Sequence, residues 1–168
     1  MTRRQLVRVA VAGGLIALVV VAYFRTREGG DERAIRQRIE ALRKEVNSST
    51  TDGLGTAARA VQIGSYFTDD AVVDLGGGSV PIRGRETLMG IVARLQPRTA
   101  AFRLELDDVG VEMVPGGTAA DVLLTASFVR RIISTGEESR DAREFALAMV
   151  KTDATWRISR ITAIDTFR

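Results

Sequence analysis

The side chains that most enzymes use for proton transfer and metal binding are missing from this sequence. It contains no histidine and no cysteine, which excludes the usual base at neutral pH, the commonest zinc ligand and a thiolate nucleophile. Carboxylates and guanidinium groups remain, and Asp74, Arg103, Asp121 and Asp165 supply these types on predicted strands. Such charges most often lie on the solvated face of a sheet. We predict no metal and no cofactor.

The positive charge of the chain is concentrated at its N-terminus. The net charge is +3, but residues 1–28 carry five arginines against one glutamate, which leaves 19 basic and 20 acidic side chains in residues 29–168. The body therefore has no excess charge with which to attract polyphosphate, and we predict that it does not bind nucleic acid. Its length is sufficient for one domain with a core of its own.

An apolar segment near the N-terminus predicts contact with a membrane. Residues 9–24 hold no charged side chain, and their length lies between that of a signal-peptide core and that of a full membrane span. Tyr23 and Phe24 follow the pattern of an interfacial anchor, although small residues just before them also satisfy a cleavage site. We predict a basic flank, an uncleaved anchor, a linker and a folded domain, at residues 1–8, 9–24, 25–30 and 31–168.

The start of the chain also resembles an export signal. Arg3 and Arg4, followed by apolar residues and Arg8, resemble the twin-arginine signal, and they are equally the positive flank expected of any inserted helix. A short basic tail before a long folded domain favours a tail inside and a domain outside. We predict a single-pass membrane protein with an extracytoplasmic domain. The alternative is a secreted or periplasmic protein after signal cleavage.

Hydrophobic periodicity predicts three helices in the first part of the domain. The first opens at Asp31 or Glu32, the second begins near Thr56, and the third runs from about Arg85 to Leu95. The apolar residues expected on their buried faces are Ile35, Ile39, Leu42 and Val46, then Ala57, Ala60, Val61, Gly64 and Phe67, then Leu88, Ile91, Val92 and Leu95.

The rest of the domain follows the two-residue period of strands. A strand at Ala71–Leu75 turns at three glycines into a partner at Val80–Arg83. A longer meander begins at Phe102, with a bulge near Asp107 and Asp108 where the alternation slips. Its later strands are predicted at residues 119–131, 140–150 and 156–166. This order predicts an α+β domain in which a curved antiparallel sheet packs on three helices.

Residues 66–84 resemble the signature of nuclear transport factor 2-like (SnoaL-like) proteins. The shared pattern is Phe-x-Asp-Asp-Ala, a strand, a glycine turn and Pro-x-x-Gly before a helix, and Trp156-Arg157-Ile158 is similar to the family's closing strand. The resemblance spans about residues 31–168 and implies a cone-shaped fold. It implies that Asp69 and Asp70 cap the turn from helix to strand, and that Gly84 permits a sharp entry to the next helix.

The open end of such a cone could hold a small apolar molecule. Tyr66, Asp74 and Trp156 are the residues that we expect to supply polar groups to that pocket. Two of them also have a plainer interpretation, because a lone tryptophan commonly packs in a core and an aspartate before glycines commonly caps a turn.

The resemblance also permits a test for the enzymes of this fold. Alignment with ketosteroid isomerases places their base aspartate at Leu75, and no tyrosine lies between Tyr23 and Tyr66 to match their oxyanion tyrosine. Scytalone dehydratase-like and polyketide cyclase chemistry depends on histidine. An epoxide hydrolase would need an Asp-Arg-Asp arrangement across strands.

We therefore expect a non-catalytic ligand-binding or assembly module, and the alternative is a carboxylate- and arginine-dependent hydrolase or isomerase that acts on a small hydrophobic metabolite. The expected partners are the membrane, a small hydrophobic ligand, and either a second copy of the chain or a membrane complex. The layout of tail, span and cone is similar to that of the anchored periplasmic subunit of type IV secretion systems. An exposed apolar sheet face in an open cone would favour the binding module. A perturbed aspartate in a closed cavity would favour the enzyme.

Overall fold

The structure is a computed structural model that describes residues 29–48, 53–94, 100–132 and 134–164. Three helices and six strands follow one another in these residues. They are α1 (residues 29–47), α2 (Gly53–Gly64), β1 (Phe67–Asp74), β2 (Ile82–Arg83), α3 (Arg85–Arg94), β3 (Ala100–Met113), β4 (Ala119–Ile132), β5 (Glu138–Thr152) and β6 (Thr155–Ile164).

The six strands form one sheet in the order β2-β1-β6-β5-β4-β3. The long strands β3 to β6 are an antiparallel meander, and β1 joins it parallel to β6. The predicted α+β architecture, with helices followed by an antiparallel meander, is therefore confirmed. The prediction that the whole sheet is antiparallel was wrong, because β1 lies parallel to β6.

One face of the sheet, called the inner face below, carries the core. Val122 and Leu124 on β4 and Leu147 on β5 are buried there, and they form one cluster with Ile35 and Ile39 of α1. Because side chains alternate along a strand, the residues between them lie on the opposite, outer face. The helices therefore cover the inner face.

The first helix has the predicted apolar stripe but is longer than predicted. Ile35 and Ile39 are buried, and Leu42 and Val46 pack against the edge of the core. The helix already includes residues 29–30, which were predicted to belong to the linker. Glycine in a helix costs about 0.5–1 kcal/mol relative to alanine, and we attribute the tolerance of this cost to the packing of the stripe.

The second helix begins at Gly53, earlier than predicted, and only part of its predicted buried face is buried. Ala60 and Gly64 are buried as predicted, and so is Ile63, whereas Ala57 and Val61 are exposed. These two residues were predicted wrongly because α2 has apolar residues on more than one side. Its spacing alone does not show which side meets the sheet.

The strand after α2 also begins earlier than predicted, so Phe67, expected on the buried side of that helix, belongs to β1. Pairing with β6 already starts at Tyr66, whose carbonyl accepts the backbone N–H of Ile158 at 2.8 Å. Asp69 and Asp70 consequently lie within β1 rather than capping a turn from helix to strand. Asp69 instead forms an ion pair with Arg85 at 2.7 Å.

Two predicted irregularities of the backbone are present. The pairing of β3 with β4 shifts between Asp107 and Gly110, and Asp108 has a φ of 52°, as the predicted bulge requires. Gly84 has a φ of 83°, and its N–H donates to the carbonyl of Ala71 at 2.8 Å immediately before α3. The glycine therefore does permit the sharp entry expected at this point.

The end of α1 is bonded to the free edge of β3. Asn47 Nδ2 donates to the carbonyl of Leu104 at 2.8 Å, and the Leu104 N–H donates to Asn47 Oδ1 at 2.7 Å. Arg36 also donates to the carbonyl of Val109. These bonds occupy backbone groups that an edge strand would otherwise offer to another strand. They also place the last residue of α1 level with Leu104, so that β3 continues beyond the helix to Ala100.

No helix among the described residues is long and apolar enough to cross a membrane. The predicted flank, the predicted anchor at residues 9–24 and most of the predicted linker lie outside the described residues, as does Asp165.

Candidate ligand-binding site

Tyr66, the first of the predicted pocket residues, is packed in the core. It is buried between α2 and β1, and the Arg38 guanidinium lies 4.0 Å from the centre of its ring. Arg38 also donates to the carbonyl of Ser65 at 2.8 Å. The arginine thus combines a cation–π contact with a bond to the end of α2, which fixes the approach of α1 to this turn.

Trp156, the second, is also buried, and its polar atom has a partner within the domain. Its indole Nε1 donates to Asp31 Oδ1 at 3.3 Å. Lys151 Nζ lies 2.5 Å from the same carboxylate oxygen and 5.6 Å from the centre of the indole ring. This group joins the first turns of α1 to the hairpin of β5 and β6.

Asp74, the third, is separated from the other two. It pairs with Thr162 across the sheet, and Trp156 is six residues earlier on that strand, which corresponds to about 20 Å at 3.3 Å per residue. Its Oδ1 accepts the N–H of Gly76 at 3.0 Å, so it holds the turn before the glycines. The structure brings Tyr66 and Trp156 into one core cluster and leaves Asp74 outside it.

The side chains that could form an Asp-Arg-Asp arrangement do not come together among the described residues. Asp74 on β1 and Asp121 on β4 both lie on the outer face, separated by three strand spacings of about 4.8 Å each. Arg103 is paired with Glu105 at 3.2 Å. Within the described residues, no group of histidine, cysteine, aspartate and glutamate could hold a metal ion.

Two exposed phenylalanines that were not predicted as site residues lie on the inner face. Phe128 on β4 is directly opposite Leu104 on β3, and Phe102 is two residues further along the same face. Phe102 remains 58% exposed and Phe128 45% exposed. Diagonal neighbours of this kind have Cβ atoms about 7–8 Å apart. The two rings are therefore close enough to be covered by one small molecule.

The exposure of these rings follows from the length of α1. The helix ends level with Leu104, while β3 and β4 continue past that point as far as Ala100 and Ile132. The helices α2 and α3 pack mainly on each other and on β1 and β2, at the opposite edge of the sheet. Residues 100–103, 128–132 and 138–141 are called the distal sheet below.

A shallow depression adjoins the two phenylalanines. Its volume is about 140 Å³, and it is lined by Arg130, Ile132, Glu137, Glu138 and Ser139. Arg130 lies directly opposite Phe102 on β3 and directly opposite Ser139 on β5, so all three residues share the inner face. The distal sheet thus combines two exposed rings with a cation and a hydroxyl.

The position of Phe102 on the inner face was predictable, and its exposure was not. Its alternation with Leu104 and Leu106 places all three side chains on one face of β3. Only the first of them extends past the end of α1. The sequence offers a weak signal for this, because the turn cluster after Asn47 marks the end of that helix.

No protein-family model and no curated protein sequence matches this chain. Solved structures match it over most of its length. An NTF2-like protein with a cystatin-like fold from Novosphingobium aromaticivorans has a TM-score of 0.68 and 18% identity over 85% of this chain and 88% of its own. A candidate scytalone dehydratase from the same organism has a TM-score of 0.67 and 13% identity, over 84% and 88%.

A third match is ActVI-ORFA from Streptomyces coelicolor, with a TM-score of 0.63 and 9% identity over 80% of this chain and 96% of its own. Together these likenesses show that the chain has the cone fold of nuclear transport factor 2-like, SnoaL-like proteins. Because this fold carries many unrelated activities, the function has to be argued from the residues themselves.

Proposed function

We propose that this chain is a non-catalytic binding module whose distal inner face holds a small hydrophobic ligand. The observation that carries the proposal is the neighbouring pair Phe102 and Phe128, each about half exposed on the face that elsewhere forms the core. Exposed apolar side chains that lie side by side mark a binding surface, whereas single ones such as Leu123 are ordinary on a folded protein. We further propose that residues 9–24 tether the module to a membrane and that the folded domain is extracytoplasmic.

The absence of catalysis is supported by the roles of the polar residues. Tyr66 and Trp156 pack in the core, and Asp74 holds a turn. The position of the isomerase base is Leu75, which is exposed and cannot accept a proton. A hydrolase that depends on carboxylates and arginine is not favoured, because the candidate aspartates on β1 and β4 lie on the outer face.

The expected strength of binding follows from the exposed area. Full burial of one phenylalanine side chain contributes about 1.5–3 kcal/mol. Phe102 and Phe128 are each about half exposed, so a ligand that covers both gains about the free energy of burying one complete phenylalanine side chain. A gain of about 2 kcal/mol corresponds to about thirtyfold in affinity. The two rings alone therefore give modest affinity, and other contacts must supply the rest.

The test is photolabelling of the full chain in lipid nanodiscs with a long-chain alcohol that carries a diazirine. We expect Phe128→Ser to raise the half-saturating concentration about fivefold, because the variant loses the burial free energy of about half a phenylalanine side chain. Leu123→Ser is the matched control, because Leu123 lies on the same strand, is 51% exposed and faces the outer side. Labelling that is unchanged in Phe128→Ser, or reduced equally in both variants, would refute the proposal.

A further inference from the structure

The depression beside the exposed rings is too small for a whole ligand. Pockets that enclose a ligand of drug size measure about 300–1,000 Å³, whereas this one measures about 140 Å³. It can hold a head group of a few atoms while the body of the ligand lies outside it. Phe102 and Phe128 form the surface next to the depression, on the same face of the sheet.

Two polar residues of the lining, Arg130 and Ser139, indicate the charge of that head group. Arg130 lies between two apolar neighbours on its own strand, Phe128 and Ile132, and it forms no ion pair among the described residues. The hydroxyl of Ser139 faces the same side directly across the β4–β5 pair. A guanidinium and a hydroxyl together offer several hydrogen-bond donors, which suits a carboxylate.

Two of the acidic side chains near the depression, Glu137 and Glu138, line it at the hairpin between β4 and β5, and a third, Asp141, lies beside the phenylalanines. Glu138 is directly opposite Arg131, which belongs to the outer face, and Glu137 is in the hairpin turn. Asp141, opposite Phe128, is paired with Arg143 at 3.5 Å. Arg143 therefore offsets the charge of Asp141 beside the phenylalanines, and Arg130 is the lining cation that no carboxylate pairs among the described residues.

We infer that the ligand is an amphipathic carboxylic acid, bound with its carboxylate on Arg130 and Ser139 and its apolar body across Phe102 and Phe128. This inference rests on the proposed function, because it names the chemical class of the ligand held at the same site. It makes Arg130 a residue that determines specificity: it selects an acid over an alcohol of equal length.

The experiment compares two diazirine probes of equal chain length, a carboxylic acid and the corresponding alcohol, on the full chain in nanodiscs. The wild-type protein is expected to bind the acid about tenfold more tightly than the alcohol. Arg130→Gln is expected to weaken binding of the acid about tenfold and to leave binding of the alcohol unchanged. Arg131→Gln is the matched control, because it removes the adjacent charge from the outer face, and it is expected to change neither probe.

Further variants keep the inference falsifiable if Arg130→Gln does not fold. Arg130→Lys retains the charge and is expected to keep a preference for the acid. Ser139→Ala is expected to weaken binding of the acid about threefold. Equal binding of acid and alcohol by the wild type, or an equal loss of acid binding in Arg130→Gln and Arg131→Gln, overturns the inference. If the inference is overturned but alcohol binding still depends on Phe128, the proposed function stands and only the assignment of a carboxylic acid fails. If neither probe depends on Phe128, both fail.

Discussion

The group that joins α1 to the last hairpin gives the sharpest prediction about stability. Asp31 accepts from Lys151 at 2.5 Å and from the indole of Trp156 at 3.3 Å, and the side chains of Asp31 and Lys151 are only 14% and 23% exposed. Asp31→Ala removes the acceptor from both donors at once. It leaves the lysine charge without its partner and the buried indole N–H unsatisfied.

The magnitude follows from the two losses. Exposed ion pairs contribute about 0.2–1 kcal/mol and breaking a fully buried pair costs about 3–5 kcal/mol, so this partly buried pair contributes about 1–2 kcal/mol. An unsatisfied buried N–H adds about 1–2 kcal/mol. We therefore expect Asp31→Ala to lower the free energy of unfolding by about 2–4 kcal/mol. In a domain of this size that corresponds to a fall in Tm of about 5–15 °C.

The assay is urea unfolding of the full chain in mild detergent, followed by the fluorescence of Trp156, the single tryptophan of the sequence. Asp31→Ala combined with Lys151→Met should cost less than the sum of the single changes, because the double variant leaves no unpaired lysine charge. A cost below about 0.5 kcal/mol for Asp31→Ala, or strict additivity, would refute the reasoning.

Glu40 provides the control on the same helix. Its pair with Arg43 is 2.6 Å long but largely solvated, so Glu40→Gln should leave the midpoint at pH 7 unchanged within error. The hydrogen bond from Arg43 lowers the pKa of Glu40. The contribution of this pair is therefore complete above the ordinary pKa of glutamate and is lost as the pH falls through the lowered value. Any difference between Glu40→Gln and wild type should shrink in acid.

Three further predictions concern other parts of the chain. Gly90 lies in α3 with open space where a Cβ would be, so Gly90→Ala should raise stability by about 0.5–1 kcal/mol in the same unfolding assay; a loss would contradict this. Asn47→Ala opens the edge of β3 and should increase self-association in light scattering, whereas unchanged scattering would show that another group closes the edge. Because the chain has no cysteine, Val80→Cys at an exposed turn should react with an impermeant maleimide on intact cells if the domain is extracytoplasmic; reaction only after lysis would contradict it.

The parts of the fold that were predicted correctly share a physical origin. The stripe through Ile35 and Ile39 and the bulge at Asp108 are recorded in the spacing of apolar residues, because burial on one face imposes a period on the sequence. The predicted start of β1 and two residues of the predicted buried side of α2, Ala57 and Val61, were wrong, since both features depend on which neighbour an element meets. Ile158, the pairing partner of Phe67, lies 91 residues further along the chain.

The site was less predictable for a related reason. Residue type suggested Tyr66 and Trp156 as pocket groups, but the sequence does not show that Arg38 and Asp31 would occupy their surfaces. The exposed ring of Phe128 carries the same pattern as the buried positions before it on β4. It differs only in lying past the end of α1, and that distance is a property of the assembled structure.

The central claim is that the inner face beyond α1 is the binding surface, and a map of the photolabelled positions tests it most directly. After irradiation with the diazirine alcohol, mass spectrometry of the digested chain should locate the adducts on residues 102–104 and 126–132. Adducts on the outer face around Leu123, or spread evenly over the domain, would contradict the account.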